Sequence, residues 1–135
     1  MEFEGGCYCG AVRYKVDGTP LFKAQCQCRA CQYVSGGGPN FFIMFPVSAF
    51  AFTQGKAKQF TRPDLETPRT RDFCPDCGTH LTTRQPGGKS LVVKAGTMDD
   101  PSLYGTPDAA IHMAEAQLFH CIAEGVPQFD RLPPR

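Results

Sequence analysis

Seven of the eight cysteines in this 135-residue chain fall into three tight groups. The groups read Cys-x-Cys, Cys-x-Cys-x-x-Cys and Cys-x-x-Cys, and they consist of Cys7 and Cys9, of Cys26, Cys28 and Cys31, and of Cys74 and Cys77. Cys7 and Cys9 are too close along an extended chain for an unstrained disulfide. A redox pair at Cys74 and Cys77 would leave the other two groups unexplained. Closely spaced thiolates are preferred zinc ligands, so the pattern favours metal binding.

The first residues and the net charge of the chain indicate the cellular compartment and the partners that we expect for this protein. Residues 1–6 are acidic and do not form a signal peptide, and no apolar run approaches the roughly 18 residues of a membrane span. We therefore expect a cytoplasmic protein with reduced thiols, where clustered cysteines indicate metal or catalysis. With a formal net charge of +1 and no basic run, the chain lacks the electrostatic signature of a nucleic-acid binder.

The number of clustered cysteines predicts two zinc sites of different kinds. A structural zinc site takes four protein ligands, whereas a catalytic site takes three and leaves one position open. The natural division gives Cys7, Cys9, Cys74 and Cys77 to a closed structural site that joins distant parts of the chain. The local loop with Cys26, Cys28 and Cys31 then holds the second, open site.

Two alternatives remain for the second site. It could be a closed structural site completed by Cys121 or a histidine, or an iron–sulfur cluster on the loop cysteines and Cys121. We expect Cys121 to be a small buried side chain and not a ligand. The three histidines lack the i, i+4 spacing of a helical metal motif, and we interpret each as structural; they are His80, His112 and His120.

The hydrophobic pattern predicts a mostly β domain that spans residues 1–135. Residues 12–16 alternate apolar and polar side chains, as in a half-buried strand. The apolar run 41–45, closed by a proline, predicts a fully buried strand, and residues 91–95 predict another strand after a Pro-Gly-Gly turn. Fourteen glycines and twelve prolines are consistent with many turns between short strands.

Four motifs in fixed order identify a family resemblance over nearly the whole chain. They are GCYCGAVRY at residues 6–14, CQCRACQ at 26–32, FCPDCGTHL at 73–81 and GVPQF at 125–129. The sequence resembles the glutathione-dependent formaldehyde-activating enzyme family, also called the centromere protein V family. The resemblance implies a β-tent fold of small antiparallel sheets pinned by zinc, with one structural four-cysteine site and a second site on the 26–31 loop. It also implies a strand at 111–113, where the alanines of 109–116 would favour a helix.

The resemblance implies a zinc-dependent carbon–sulfur lyase-type activity on a thiol adduct. The family's founding reaction joins formaldehyde and glutathione to give S-hydroxymethylglutathione. Cys26, Cys28 and Cys31 are then the catalytic residues, because an open zinc with three thiolates can hold a further thiolate next to a small aldehyde. The expected partners are glutathione or a similar thiol and a small aldehyde, with neither nucleic acid nor membrane involved.

Glutathione carries two carboxylates, so its pocket should offer hydrogen-bond donors. Candidate binding residues are Arg29 in the cysteine loop and the backbone of Gly36 and Gly37, with Arg69 and Arg71 near the Cys74–Cys77 turn as further candidates. Many relatives have a tryptophan before the C-terminal Pro-Gln, but this chain has none, so its substrate can differ. The alternative functions are a thiol carrier without turnover and a zinc-stapled interaction module, which predicts an exposed apolar patch.

Overall fold

Two β-sheets and one short helix make up the fold. The computed structural model describes residues 1–134. A three-stranded antiparallel sheet has the order β1-β2-β5, and a seven-stranded mixed sheet has the order β10-β3-β4-β9-β8-β7-β6. The strands are β1 (Glu2–Gly6), β2 (Arg13–Asp17), β3 (Phe22–Cys26), β4 (Asn40–Pro46), β5 (Phe50–Gln54), β6 (Lys58–Thr61), β7 (Thr70–Phe73), β8 (His80–Arg84), β9 (Ser90–Lys94) and β10 (Ala109–Ile111). The helix α1 is Arg29–Ser35.

The small sheet packs against one face of the large sheet. Because side chains alternate along a strand, Ile43 and Phe45 of β4 and Val93 of β9 point to the same face. They share a buried cluster with Tyr14 and Val16 of β2. The Tyr14 ring stacks at 5.1 Å on Phe50 of β5, which ties the small sheet together at this core.

The opposite face of the large sheet carries a second buried cluster. Phe42 of β4 and Val92 of β9 point to this face, together with Cys26 at the end of β3. Helix α1 follows β3 and adds Cys31 to the same cluster. The seven-stranded sheet therefore separates two apolar cores, and the 26–31 loop belongs to the second of them.

Most strand predictions are confirmed, with local corrections. Residues 13–16 of the alternating segment lie in β2, with Val12 just before it, and residues 91–94 lie in β9, while Ala95 begins a short 3₁₀ turn, Ala95–Thr97. The run 41–45 forms β4, but the prediction that it is fully buried is wrong. Phe41 keeps 39% of its surface exposed near the start of the strand, although its ring contacts Tyr104 edge-on.

The segment 109–116 is divided between two conformations. Ala109–Ile111 is a strand, β10, that runs parallel to β3. The backbone then turns at His112, which has a left-handed conformation with φ of 55°, and continues as a 3₁₀ turn over Met113–Glu115. The predicted strand at 111–113 is thus correct for Ile111 and wrong for the next two residues, because the left-handed residue ends the extended chain. Within residues 1–134, no helix is both long and apolar enough to cross a membrane.

Candidate metal centres

The first cysteine group joins two turns that lie far apart in the sequence. Cys7 and Cys9 come from the turn between β1 and β2, and Cys74 and Cys77 come from the turn between β7 and β8. Their four Sγ atoms lie within 4.8 Å of one another. Gly78 follows with φ of +76°, a conformation that suits glycine, and its N–H donates to the Cys74 carbonyl to close the second turn.

The spacing of these sulfurs fits a tetrahedral zinc site. Sγ of Cys9 lies 3.6 Å from that of Cys7 and 3.8 Å from that of Cys74. A regular tetrahedron with zinc–sulfur bonds of about 2.3 Å has sulfur–sulfur edges of about 3.8 Å. A disulfide would instead require sulfurs about 2.05 Å apart. The four thiols are free, so the geometry matches a metal cage and not a pair of disulfides.

Hydrogen bonds to sulfur prepare this group to carry negative charge. The backbone N–H of Val12 donates to Sγ of Cys7 at 3.2 Å, and the N–H of Asp76 donates to Sγ of Cys74 at 3.4 Å. Hydrogen bonds from the side chain and backbone of Thr79 lower the pKa of Cys77 to about 6. Thiolates are the form that binds metal, so these donors favour metal binding.

The second group is built from one short segment. Cys26 ends β3, Cys28 is the N-cap of α1, and Cys31 lies in the first turn of that helix. The N–H of Cys31 donates to Sγ of Cys28 at 3.4 Å, so the helix start aims both thiols to one side. The three Sγ atoms lie within 4.8 Å of one another, and no other described Cys, His, Asp or Glu completes the group.

Buried glutamines hold this loop against the β10 segment. Gln27 is fully buried, and its amide nitrogen donates to the Ile111 carbonyl at 3.1 Å. Gln25 donates to the Gln27 side-chain oxygen at 2.9 Å. The Gln32 amide nitrogen donates to the carbonyls of Gln27 at 2.7 Å and Glu115 at 3.0 Å. These contacts fix the orientation of the cysteines from behind, as outer hydrogen bonds do around metal ligands.

Sequence reasoning missed this glutamine network. Only Gln25 lies in a strand, β3, so strand alternation carries no information about Gln27 and Gln32. None of the three side chains is charged, so a search for charged site residues does not find them. The available signal was the glutamine on each side of the cysteines, at positions 25, 27 and 32.

Hydrogen bonds among the three thiols shift their pKa values in opposite directions. Hydrogen bonds from Cys26 and then Cys31 lower the pKa of Cys28. The hydrogen bond to Cys28 and then that to Cys31 raise the pKa of Cys26, with burial as a further cause. A divalent cation would remove the protons that these thiols otherwise share, so the group fits a soft metal such as zinc in donor type and spacing.

A cavity of about 320 Å³ opens directly onto the three-cysteine group. We call it the thiol cavity; it is lined by all three cysteines of the group and by an apolar wall that includes Phe22, Phe42 and Met44. Its volume lies in the range of small-molecule sites. The three-cysteine group therefore has room beside it for a ligand.

The far wall of the thiol cavity is cationic. Arg69 and Arg71 of the β7 region line it, and neither forms an ion pair within residues 1–134. Arg71 donates to the Thr83 hydroxyl at 3.2 Å and Arg69 to the Gln85 side-chain oxygen at 3.2 Å. Both guanidinium groups retain donors for an anionic ligand, since each has five N–H groups.

The structure does not bring all predicted site residues to this cavity. Arg29, Gly36 and Gly37 line a separate open groove on the other side of α1, together with Phe119. Arg29 lies over the Tyr33 ring at 4.8 Å from its centre. Phe119 thus lines that groove and not the thiol cavity.

Cys121 and the three histidines lie outside both cysteine groups. Cys121 is exposed, so the prediction that it is buried is wrong; it lies in a segment without regular secondary structure, where no sheet covers it. His112 lines the thiol cavity, although sequence reasoning gave it only a structural part. His80 stacks on Phe73 at 5.6 Å, and His120 contacts the Gly37 carbonyl through Nε2 at 2.7 Å.

Taken together, these features define a mostly β protein with two thiol groups that could each hold a metal ion. The chain belongs to the glutathione-dependent formaldehyde-activating enzyme family, whose model matches residues 2–115. A crystal structure of a Rhodobacter sphaeroides protein is similar, with a TM-score of 0.60 and 17% identity over 76% of this chain and 94% of that one. At this identity the likeness shows a shared fold. A search of curated proteins found no significant match.

Proposed function

We propose that the protein is a zinc-dependent carbon–sulfur lyase-type enzyme that forms or cleaves a thiol adduct such as S-hydroxymethylglutathione. Zinc at the four-cysteine group is structural, and zinc at the three-cysteine group is open. The observation that carries this proposal is a group of three thiols, without a fourth protein ligand among the described residues, that faces a ligand-sized cavity. Membership in the family supplies glutathione and formaldehyde as the substrate pair.

The chemistry of the reaction is balanced by the two substrates alone. In the forward direction the sulfur of glutathione bonds to the carbonyl carbon of formaldehyde, and the thiol proton ends on the carbonyl oxygen. In reverse the carbon–sulfur bond breaks and the proton returns to sulfur. A zinc ion held by Cys26, Cys28 and Cys31 would supply thiol activation, because metal coordination keeps an added sulfur deprotonated near neutral pH.

The residues around the cavity bind and orient the substrate. Arg71 is half-buried and Arg69 is exposed at the rim, so the two guanidinium groups offer one inner and one outer position for glutathione carboxylates. The apolar wall of Phe22, Phe42 and Met44 excludes water from the side opposite the arginines. A bound glutathione would thus place its sulfur towards the cysteines and its charged ends towards the arginines.

NMR exchange spectroscopy with labelled formaldehyde, glutathione and the zinc-loaded protein tests this function. We expect faster exchange between free formaldehyde and the adduct than in protein-free solution. Cys28→Ser should abolish the acceleration, whereas Cys121→Ser, which changes an exposed thiol outside both groups, should keep it. Circular dichroism of both variants checks that the fold is intact.

The same experiment separates enzyme from carrier. Binding of glutathione without any acceleration of exchange would replace the enzyme by a thiol carrier. Absence of both binding and acceleration in zinc-loaded wild-type protein would overturn the proposal.

A further inference from the structure

Lys94 is a buried cation on the cavity side of the large sheet. It ends β9, directly across from Phe42 of β4, and Phe42 lines the thiol cavity. Val92, two residues earlier and thus on the same face, lines the cavity too, whereas Val93 points into the other core. The residue is only 8% exposed, so its ammonium group is directed into the protein on the side of the three-cysteine group.

The Lys94 ammonium has no partner among the residues that the structure describes. Its Nζ forms no hydrogen bond within residues 1–134 and belongs to none of their ion pairs. Removing a charge from water without a partner is strongly unfavourable, so buried charges are normally paired. A lysine in this position indicates that something outside the described protein atoms balances its charge.

The titratable groups that act on Lys94 come from four elements, β3, α1, β7 and β8. Burial lowers the pKa of Lys94 to about 8, and negative charge on Cys31, Cys26 and Cys28 acts in the opposite direction. The positive charge of Arg71 on β7 lowers the pKa of Lys94 further, and burial, followed by the charges of Lys94 and Arg71, lowers the pKa of His80 on β8. The Nδ1 atom of His80 is likewise buried and has no hydrogen-bond partner in the described part of the chain. The three cysteines are thus the anionic neighbours of Lys94, and its other titratable neighbours are basic.

The charge balance of the proposed site calls for a cation at this place. Three thiolates around Zn²⁺ carry one net negative charge, and a further thiolate from a ligand raises it to two. In a cavity with an apolar wall this charge is poorly solvated. Of the cations on this side of the sheet, Arg69 is exposed and Arg71 is half-buried, while Lys94 is buried.

We propose that Lys94 is a positioning residue that acts as the counter-charge of the three-cysteine group and selects for a ligand that binds there as a thiolate. This inference rests on the proposed function for the zinc and the thiol. It goes further in two respects. The ligand binds in its anionic form, and a lysine that is not a metal ligand favours that form.

Binding measurements on three variants test the counter-charge. Lys94→Met removes the charge with little change of volume, Lys94→Arg keeps it, and Lys94→Gln is a second neutral variant should Met perturb the fold. Lys23→Met is the matched control, because it makes the same change in net charge on β3, but Lys23 faces the other side of the sheet and its Nζ donates to the Tyr104 carbonyl. Zinc affinity is measured by chelator competition, and ligand affinity by calorimetry with glutathione and S-methylglutathione.

We expect Lys94→Met and Lys94→Gln to weaken zinc binding at the three-cysteine group and glutathione binding by about tenfold or more. One unit charge acting over about 10 Å at an effective dielectric constant of about 20 changes an affinity by roughly this factor. Lys94→Arg should restore most of both affinities, and Lys23→Met should change neither. S-methylglutathione cannot form a thiolate, so Lys94→Met should leave its affinity unchanged.

Equal losses for glutathione and S-methylglutathione would show a structural effect and overturn the proposal. So would unchanged zinc and glutathione affinities in both neutral variants. The outcome is independent of turnover: if wild-type protein does not accelerate adduct exchange but shows this Lys94 dependence, the enzyme proposal fails and the counter-charge stands. If the neutral Lys94 variants still accelerate adduct exchange as the wild-type protein does and bind zinc and glutathione unchanged, the enzyme proposal stands and the counter-charge fails.

Discussion

The two cysteine groups differ in how far apart their cysteines lie in the chain. Under the proposed function, this difference distinguishes a group that stabilises the fold from a group that binds a ligand. The four-cysteine group joins turns more than 60 residues apart, because Cys9 and Cys74 contact each other across a sequence separation of 65. The three-cysteine group comes from six consecutive residues. A metal bound between distant turns contributes directly to the free energy of folding, because it closes a long loop of the chain. A metal bound by one short loop closes only that loop and contributes less.

The groups also differ in what lies around them. The first is closed by its own fourth sulfur and joins the main core through Cys7 and Cys74. The second faces a cavity with two arginines that form no ion pair within residues 1–134, and buried glutamines support it from behind. Removal of ligands should therefore affect folding at the first group and chemistry at the second.

Replacement of a ligand in the first group should have the largest effect. Cys74 is fully buried, and Cys74→Ser should release the structural zinc and unfold the domain or abolish most of its stability, a loss comparable to a typical free energy of unfolding of about 5–15 kcal/mol. Metal analysis and thermal circular dichroism measure both effects. A well-folded Cys74→Ser protein with its full zinc content would contradict the assignment of this group as structural.

The corresponding change in the second group should leave the fold in place. Cys28→Ser should retain zinc at the four-cysteine group, lose zinc at the second group and keep a cooperative thermal transition. The physical reason is that Cys28 caps a short helix, and serine is also a good N-cap. Zinc stoichiometry and melting curves, with Cys121→Ser as the reference, provide the readout. Unfolding of Cys28→Ser to the same extent as Cys74→Ser would remove the distinction between the groups.

The glutamine network should have an intermediate effect that is confined to the second group. Gln27→Ala removes the hydrogen bonds to the Ile111 carbonyl and from Gln25, and it should weaken zinc binding there by about 10- to 100-fold, as outer-shell changes do at other metal sites. Chelator competition measures this affinity. An equal loss at the four-cysteine group, which Gln27 does not contact in the described structure, would argue against a local role.

The smallest of these effects should come from the arginine wall. Arg71→Gln removes a cation that can bond a substrate carboxylate and should raise KM for the glutathione adduct by about tenfold, with little change in kcat or zinc content. Steady-state kinetics and metal analysis separate these quantities. A fall in kcat with unchanged KM would place Arg71 at the reacting atoms and not at the carboxylate.

The sequence predicts the parts of this molecule that depend on local spacing. The division of the cysteines follows from counting ligands within tight motifs, and β2 follows from the alternation around Tyr14, because a strand with one buried face repeats every two residues. These features need no knowledge of which strands are neighbours.

Other features depend on the register between strands and could not be predicted. Lys94 lies on the cavity side of the large sheet only because β9 pairs with β4 in the register that places it opposite Phe42. The left-handed conformation of His112, which follows the end of β10, could not be predicted, because the residue there is not a glycine. Gly36 and Gly37 follow the cysteine loop closely in sequence, yet the helix between them and Cys28 carries them to another groove.

The coordination of the second zinc is the most direct test of the difference between the two groups. X-ray absorption of zinc-loaded protein, before and after addition of glutathione, reports the average number of sulfur ligands. If the second site is open, we expect a light-atom ligand at part of the zinc in the free protein and its replacement by sulfur when glutathione binds. Full sulfur coordination of all bound zinc before any thiol is added, with no change afterwards, would contradict it.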